Sequence, residues 1–168
     1  MKAFKKIAVI GKYPSKEESV DINNQLIELV DHLRQKSIEL FIEEKTQQQI
    51  NVEGIQAIAL KDIGSCVDLA IIIGGDGTMI GVARNLVDSN TPLIGVNQGR
   101  FGFLADLNTS SMLTNIDSIL NGEYIEDKRM LINTRIIRGD RVVYESLSLN
   151  DIVIKSGLRL IELDVMIN

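Results

Sequence analysis

The chain has 168 residues, of which 45% are hydrophobic and 24% are charged, which is ordinary for a soluble globular protein. Its net charge of −5 argues against a nucleic-acid-binding protein, because such proteins normally present a basic face. No stretch approaches the roughly 18 apolar residues of a membrane span, and the apolar run near the start is too short for a signal peptide. The single cysteine, Cys66, excludes an internal disulfide and fits a reducing compartment, so we predict a cytoplasmic protein. We expect Cys66 to be a small buried hydrophobe and the lone His32 to be a solvated surface residue.

Short apolar runs alternate with helical patterns along the first two thirds of the chain. The apolar runs predict strands at residues 6–10, 38–42, 69–73 and 93–96. Helical spacing of apolar residues predicts helices over 21–36, 78–87 and 110–120. Residues 46–50 read as an exposed loop or a short helix, and residues 52–66 give no clear prediction. This alternation predicts an α/β fold with an open parallel sheet and right-handed crossovers.

The last forty or so residues have a different character. Segments 131–138 and 142–149 resemble strands, and Gly139-Asp140 between them predicts a hairpin turn. We expect two more strands at 152–155 and 160–167. The sequence therefore predicts an α/β nucleotide-binding domain over 1–125 and the beginning of an antiparallel β domain over 126–168, which we expect to be incomplete.

A glycine-rich segment, Gly74-Gly75-Asp76-Gly77-Thr78, follows the most apolar of the predicted strands and opens a helix. Ligands of open α/β sheets bind at this end of the strands. Three glycines allow close approach of a ligand and positive φ, and the helix start offers N–H groups to phosphate. A carboxylate there would repel phosphate, but it suits a base that takes a proton from a hydroxyl. The alternative is that Asp76 only caps the helix. Neither a Walker loop nor a Gly-x-Gly-x-x-Gly fingerprint occurs.

Two further segments carry candidate site residues. The next parallel strand is followed by Asn97-Gln98-Gly99-Arg100-Phe101-Gly102-Phe103-Leu104, which should begin at the same sheet edge as Asp76. Phe103 offers an apolar wall for a base ring, although it and Phe101 suit core packing equally well, and Arg100 suits either phosphate contact or solvent. Later in the chain, Asn150-Asp151 could read a base edge and a ribose, although this pair is also common in turns.

These three segments together resemble the NAD kinase family. The first is shared with diacylglycerol kinases, sphingosine kinases and, loosely, phosphofructokinases. The second is similar to the family's Asn-x-Gly-x-x-Gly-Phe-Leu stretch, and Leu149-Asn150-Asp151 is similar to its Asn-Glu motif.

The resemblance implies a role for each matching position. Asp76 would be the base acting on the adenosine ribose 2′-hydroxyl of NAD, and ATP or polyphosphate would supply the phosphoryl group with a divalent cation such as Mg²⁺. NAD would be held by Asp76, Gly77, Phe103, Asn150, Asp151 and Arg159. The loop around the phosphates would comprise Gly74, Gly75, Gly77, Thr78, Asn97 and Gly99. It also implies a homodimer or homotetramer, with no nucleic-acid or membrane partner.

The chain departs from the family pattern in two places. Asp151 stands where the family usually has glutamate, so the charge is kept but one methylene of reach is lost. The family's later Gly-Asp-Gly segment and Thr-Pro-Thr-Gly-Ser-type loop are not found. Two alternatives to an active NAD kinase therefore stand: a truncated, non-catalytic nucleotide-binding module, and a lipid kinase of the same superfamily.

Overall fold

The computed structural model describes residues 4–12, 19–98, 104–105, 107–155, 157 and 162–167. The chain divides into two compact units, Met1–Lys128 and Arg129–Asn168. The first unit contains β1 (Lys6–Gly11), α1 (Ser19–Arg34), β2 (Glu39–Glu43), α2 (Glu44–Ile50), β3 (Gln56–Ile58), α3 (Ile63–Cys66), β4 (Leu69–Ile73), α4 (Asp76–Asn85), β5 (Leu93–Asn97), β6 (Leu107–Asn108) and α5 (Met112–Leu120). Short 3₁₀ turns at Leu60–Asp62 and Thr109–Ser111 precede α3 and α5. Within the described residues, no helix combines the length and apolar character needed to cross a bilayer.

The six strands of the first unit form one parallel sheet in the order β3-β2-β1-β4-β5-β6. This order confirms the predicted α/β class. The chain moves outward from β1 to β3 in one direction and from β4 to β6 in the other, so the strand order reverses between β1 and β4. Gly11 and Ile73 are in register, which brings the carboxyl ends of these two strands level. A crevice at such a reversal is the usual ligand site of an open parallel sheet.

Two apolar layers cover the two faces of the sheet. Strand residues alternate between them because successive side chains of a strand point to opposite faces. Ile7, Val9, Ile71 and Ile73 pack with α1 and α5, whereas Ala8, Ile10, Ala70 and Ile72 pack with α3 and α4. Burial of each large aliphatic side chain contributes about 1.5–3 kcal/mol, so the covered central strands are the stable frame on which the loops stand.

The second unit contains one antiparallel hairpin, β7 (Ile132–Arg138) and β8 (Arg141–Ser148). Gly139 adopts a φ of +59° at the turn, which confirms the predicted hairpin. The predicted strand at residues 152–155 is wrong, and residues 162–167 of the predicted strand at 160–167 are not strand either. Both segments have the right composition, but a strand also needs a hydrogen-bonded neighbour, and the described part of this unit pairs only β7 with β8.

The structure decides two local predictions in the first unit, for residues 46–50 and for Cys66. Residues 46–50 belong to helix α2, with Thr46 and Ile50 buried. Cys66 is exposed, so its predicted burial is wrong; it lies at the last position of the short α3, whose buried residue is Ile63.

The prediction of a solvated His32 is also wrong. His32 Nε2 lies 2.8 Å from Asp117 Oδ1, and the His32 side chain is only 21% exposed. Lys36 Nζ lies 2.6 Å from the same oxygen, so the end of α1 is linked to α5. The hydrogen bond from Lys36, helped by that from His32, holds the pKa of Asp117 below its ordinary value against the opposing effect of burial.

Candidate active site

The glycine-rich segment joins β4 to α4. Gly75 is the N-cap residue of α4, with extended backbone angles (φ −97°, ψ −176°), and its carbonyl accepts hydrogen bonds from Thr78 N at 3.0 Å and Met79 N at 3.1 Å. Asp76 is therefore the first residue inside the helix, and the alternative that it serves as the N-cap is wrong. The first turn of a helix presents backbone N–H groups and a partial positive charge, which suits an anion near Asp76 and Gly77.

The three glycines of this segment serve two different purposes. A Cβ on Gly74 would lie 2.7 Å from Thr78 Oγ1 and 2.9 Å from Thr78 Cβ, so Gly74 permits the strand to approach the helix. Gly75 and Gly77 have no atom within 4 Å of the position that a Cβ would occupy. None of the three has positive φ, so this turn does not use that freedom of glycine. The protein's own packing does not require glycine at 75 or 77, and what these two positions provide is bare backbone open to a ligand.

The carboxylate of Asp76 is held by the loop that follows β5. Its Oδ1 accepts a hydrogen bond from Leu104 N at 3.2 Å, and the Asp76 residue is half-buried. Asn97 ends β5 on the strand next to β4, and Gly74 N donates to Val96 O at 2.9 Å. The structure thus brings the first two predicted segments together at one sheet edge.

Gly95 explains how the loop after β5 comes so close. A Cβ on Gly95 would lie 2.9 Å from Ala105 Cα, 3.0 Å from Ala105 Cβ and 3.3 Å from Met79 Sδ. The returning backbone at Ala105 therefore rests directly on β5, next to Leu104 and its bond to Asp76. Gly99 and Phe103 lie outside the described residues, as does Arg159.

A cavity of about 360 Å³ opens beside the glycine-rich segment, on the α4 side of the sheet. We call it the α4 cavity; its lining is Ile10, Gly11, Lys12, Leu60, Gly77, Thr78, Gly81, Val82 and Asn85. A neighbouring polar cavity of about 380 Å³ shares Gly81 and Asn85 and adds Arg84. The lining comes from the carboxyl end of β1, the turn after β3 and the first turns of α4, so it lies at the reversal of strand order.

Sequence reasoning missed most of this cavity. Gly81 was the available signal: it lies in the interior of α4, where glycine is unfavourable by about 1 kcal/mol, and nothing lies within 4 Å of its Cβ position. Leu60 falls in the segment 52–66, which gave no clear prediction.

The Asn150-Asp151 pair belongs to the second unit, just after β8. Both residues are exposed, and the carbonyl of Asp151 accepts a hydrogen bond from the Ser148 hydroxyl. This local bond is typical of a turn. A role for the pair in binding a dinucleotide stays a prediction.

Comparison with known proteins agrees with the resemblance seen in the sequence. A family model described as the ATP-NAD kinase N-terminal domain matches residues 9–124. NAD kinase from Nitrosomonas eutropha is 40% identical over 167 residues, covering 98% of this chain and 55% of the relative. NAD kinase from an Azoarcus species is 38% identical over 168 residues, covering 98% of this chain and 56% of the relative. The chain thus spans about half the length of these relatives.

Solved structures share the fold. The crystal structure of yeast NADH kinase complexed with NADH superposes with a TM-score of 0.73 at 14% identity, covering 89% of this chain and 48% of that one. An NAD kinase from Archaeoglobus fulgidus in complex with ATP gives a TM-score of 0.55 at 16% identity, covering 77% and 42%. With the family match over residues 9–124 and the glycine-rich segment at the reversal of strand order, this chain belongs to the NAD kinase family.

Proposed function

We propose that this chain carries the phosphoryl-transfer site of an NAD kinase, which moves the γ-phosphoryl group of ATP to the 2′-hydroxyl of the adenosine ribose of NAD. The observation that carries the proposal is the position of Asp76. Its carboxylate stands at the first turn of α4, beside bare glycine backbone and at the reversal of strand order. The names of the sequence relatives support the reaction, and the solved structures of the same fold, one with NADH and one with ATP, support both ligands.

Asp76 acts as the general base in this proposal. Its carboxylate takes the proton of the 2′-hydroxyl as the hydroxyl oxygen attacks the γ-phosphorus, and ADP leaves with the electrons of the broken P–O bond. The hydrogen bond from Leu104 N occupies one lone pair of Oδ1 and fixes the orientation of the carboxylate. A positioned base of this kind contributes about 10²–10⁴-fold to the rate.

The phosphoryl donor occupies the α4 cavity. Ile10, Leu60 and Val82 provide apolar walls for a base ring, and bare Gly77 and Gly81 allow a ring to lie against the helix. The phosphates then reach the glycine-rich segment and the positive end of α4. Gly74, Gly75, Gly77, Thr78, Asn97 and Gly99 form the loop around them in this proposal.

The dinucleotide is held on the other side of Asp76. The proposal assigns its binding to Asp76, Gly77, Phe103, Asn150, Asp151 and Arg159, with Phe103 beside the adenine. A cytoplasmic location, a homodimer or homotetramer, and polyphosphate as an alternative donor follow from the family resemblance and belong to the same proposal.

A divalent cation arrives with the nucleotide in this proposal and is held mainly by its phosphates. The described residues contain no cluster of three or more His, Cys, Asp or Glu side chains that would bind a metal ion. Mg²⁺ is commonly bound by one or two carboxylates together with substrate phosphates, and Asp76 is a carboxylate at the right edge of the sheet. When bound, the cation would neutralise charge on the phosphates.

The decisive experiment compares Asp76→Asn with a control substitution, Asp88→Asn. Asp88 is an exposed carboxylate just after α4, so the control makes the same chemical change away from the site. NADP formation is measured with ATP and NAD, and folding is checked by thermal unfolding. We expect Asp76→Asn to lower kcat by at least about 100-fold with little change in KM, because the amide has the shape of the carboxylate and can still accept hydrogen bonds from NAD but cannot take the proton. Turnover of Asp76→Asn equal to that of the wild type would refute the assignment. Binding of both nucleotides without turnover by the wild type would instead indicate the non-catalytic module, and phosphorylation of diacylglycerol but not NAD would indicate the lipid kinase.

A further inference from the structure

A buried polar chain lies directly behind the carboxyl end of β1. Gly11 N donates to Thr46 Oγ1 at 2.9 Å, and both Thr46 Oγ1 and Thr46 N donate to Glu43 Oε2 at 2.9 Å. Thr46 is 0% exposed and Glu43 is 2% exposed. An ionisable side chain is rarely buried so completely, and none of the proposed catalytic steps uses this one.

The Thr46 hydroxyl replaces a missing strand partner. On the β4 side, the pairing of β1 continues to Gly11↔Ile73, and Lys12 N donates to Ile73 O at 2.8 Å. On the β2 side, the pairing ends at Val9↔Ile42, because the chain then turns into α2. The N–H of Gly11 would therefore lack a ladder partner on that side, and Thr46 Oγ1 accepts it instead.

Glu43 gives this chain of hydrogen bonds a direction. A hydroxyl has one proton to donate, and that proton goes to a carboxylate, which only accepts. The lone pairs of Thr46 Oγ1 are thus left to face Gly11 N. Thr46 N donates to the same Glu43 Oε2, so that oxygen accepts two hydrogen bonds and holds the hydroxyl in this orientation.

The anchored segment forms one wall of the α4 cavity. Ile10, Gly11 and Lys12 line the cavity together with Gly77 and Gly81. Gly11 is closely packed on the side away from α4, since a Cβ there would lie 2.7 Å from Leu26 Cδ1 and 3.4 Å from Thr46 Cγ2. We infer that Glu43 and Thr46 are positioning residues, which set the β1 wall of the α4 cavity and thereby the affinity for the nucleoside triphosphate. This inference rests on the proposed function only in assigning ATP to that cavity.

The test measures the dissociation constants of ATP and NAD separately, by calorimetry on this chain. Thr46→Val keeps the shape but leaves Gly11 N without an acceptor, and Thr46→Ser keeps the hydroxyl. We expect Thr46→Val to raise the Kd for ATP about tenfold, equal to about 1.4 kcal/mol, while the Kd for NAD changes by less than about twofold. Thr46→Ser should bind ATP within about twofold of the wild type.

Thr91→Val is the matched control. The Thr91 hydroxyl donates to Gly64 O at 3.2 Å, at the amino end of β5 and away from the cavity. Its loss should lower stability without changing the Kd for ATP. If Thr46→Val does not fold, Glu43→Gln decides by the same measurement, because an amide can present either its oxygen or its NH2 group and so no longer fixes the direction of the Thr46 hydroxyl. A Kd for ATP raised about threefold or more supports the inference.

Other outcomes count against the inference. An unchanged Kd for ATP in folded Thr46→Val, or in Glu43→Gln where that variant decides, would overturn it, as would an equal rise for ATP and NAD. Failure of the wild-type chain to bind ATP would overturn it as well. ATP binding without NAD phosphorylation by the wild type would refute the proposed reaction, yet the variants would still decide the role of Thr46.

Discussion

Gly95→Ala tests whether the close contact between β5 and the returning loop holds the proposed base in place. The added methyl would stand 2.9 Å from Ala105 Cα, whereas ordinary contacts begin near 3.4 Å, so the backbone must retreat by about 0.5 Å. Overpacking of this kind costs about 1–3 kcal/mol. For a chain of 168 residues, that corresponds to a fall in Tm of about 2–4 °C for each kcal/mol.

The same displacement reaches the site. Leu104 N already lies 3.2 Å from Asp76 Oδ1, and a further retreat of about 0.5 Å by the adjoining residue would take the pair beyond hydrogen-bonding distance. In the proposed reaction, Gly95→Ala should therefore lower kcat more than it raises KM for ATP, because the carboxylate loses its orienting partner, whereas the nearest neighbours of the new methyl, Ala105 and Met79, do not line the α4 cavity.

Gly81→Ala is the control for the stability measurement only, because Gly81 also lines the α4 cavity. Nothing lies within 4 Å of its Cβ position in the interior of α4, so alanine should stabilise the fold by up to about 1 kcal/mol. The free energy of unfolding is measured by chemical denaturation, and kcat by NADP formation. A Gly95→Ala variant as stable and as active as the wild type would show that the contact with Ala105 is not restrictive, and the reasoning would be wrong.

Two other features of the chain give predictions of their own. The pKa of Asp117 is lowered in the folded state by Lys36 and His32, so its contribution to stability is present above its unfolded pKa of about 3.9 and is lost as pH falls through the folded value. Since its side chain is 37% exposed, Asp117→Asn should lower the unfolding free energy at pH 7 by only about 0.5–1 kcal/mol, a difference that shrinks below pH 4; a deficit that persists unchanged to pH 3 would contradict this account. On the hairpin, the cross-strand partners Ile137 and Val142 are 49% and 50% exposed, so we expect this chain to self-associate. Ile137→Lys combined with Val142→Glu should shift the sedimentation coefficient toward that of the monomer. A wild-type chain that stays monomeric at high concentration would argue against self-association through the hairpin.

The parallel sheet could be predicted because its central strands are covered on both faces. All five residues of β4 are buried, and so are five of the six residues of β1, so each appears in the sequence as an unbroken apolar run. β3 could not be found in this way, because only Ile58 of its three residues is buried. The predicted strand at 152–155 failed for the complementary reason: composition reports a preference for extended backbone, whereas pairing depends on a distant segment.

The candidate site likewise has a part that follows from local sequence and a part that depends on long-range contacts. A loop between a strand and the following helix is local, so the glycine-rich segment and Asp76 could be placed from sequence spacing. The hydrogen bond from Leu104 to Asp76 spans 28 residues, and that from Gly11 to Thr46 spans 35. Neither follows from a local pattern, since each depends on which strands become neighbours.

The reversal of strand order gives the two sides of Asp76 different supports. On one side, β1 ends in a segment that Thr46 anchors from behind, and this segment faces the α4 cavity. On the other side, β5 leads into the backbone that donates to the carboxylate through Leu104. If ATP occupies the first side and the ribose hydroxyl meets the second, weakening the β1 anchor should act on ATP affinity, and displacing the β5 loop should act on turnover. Because the two supports share no residue, their free-energy effects should be additive in a double variant of Thr46 and Gly95.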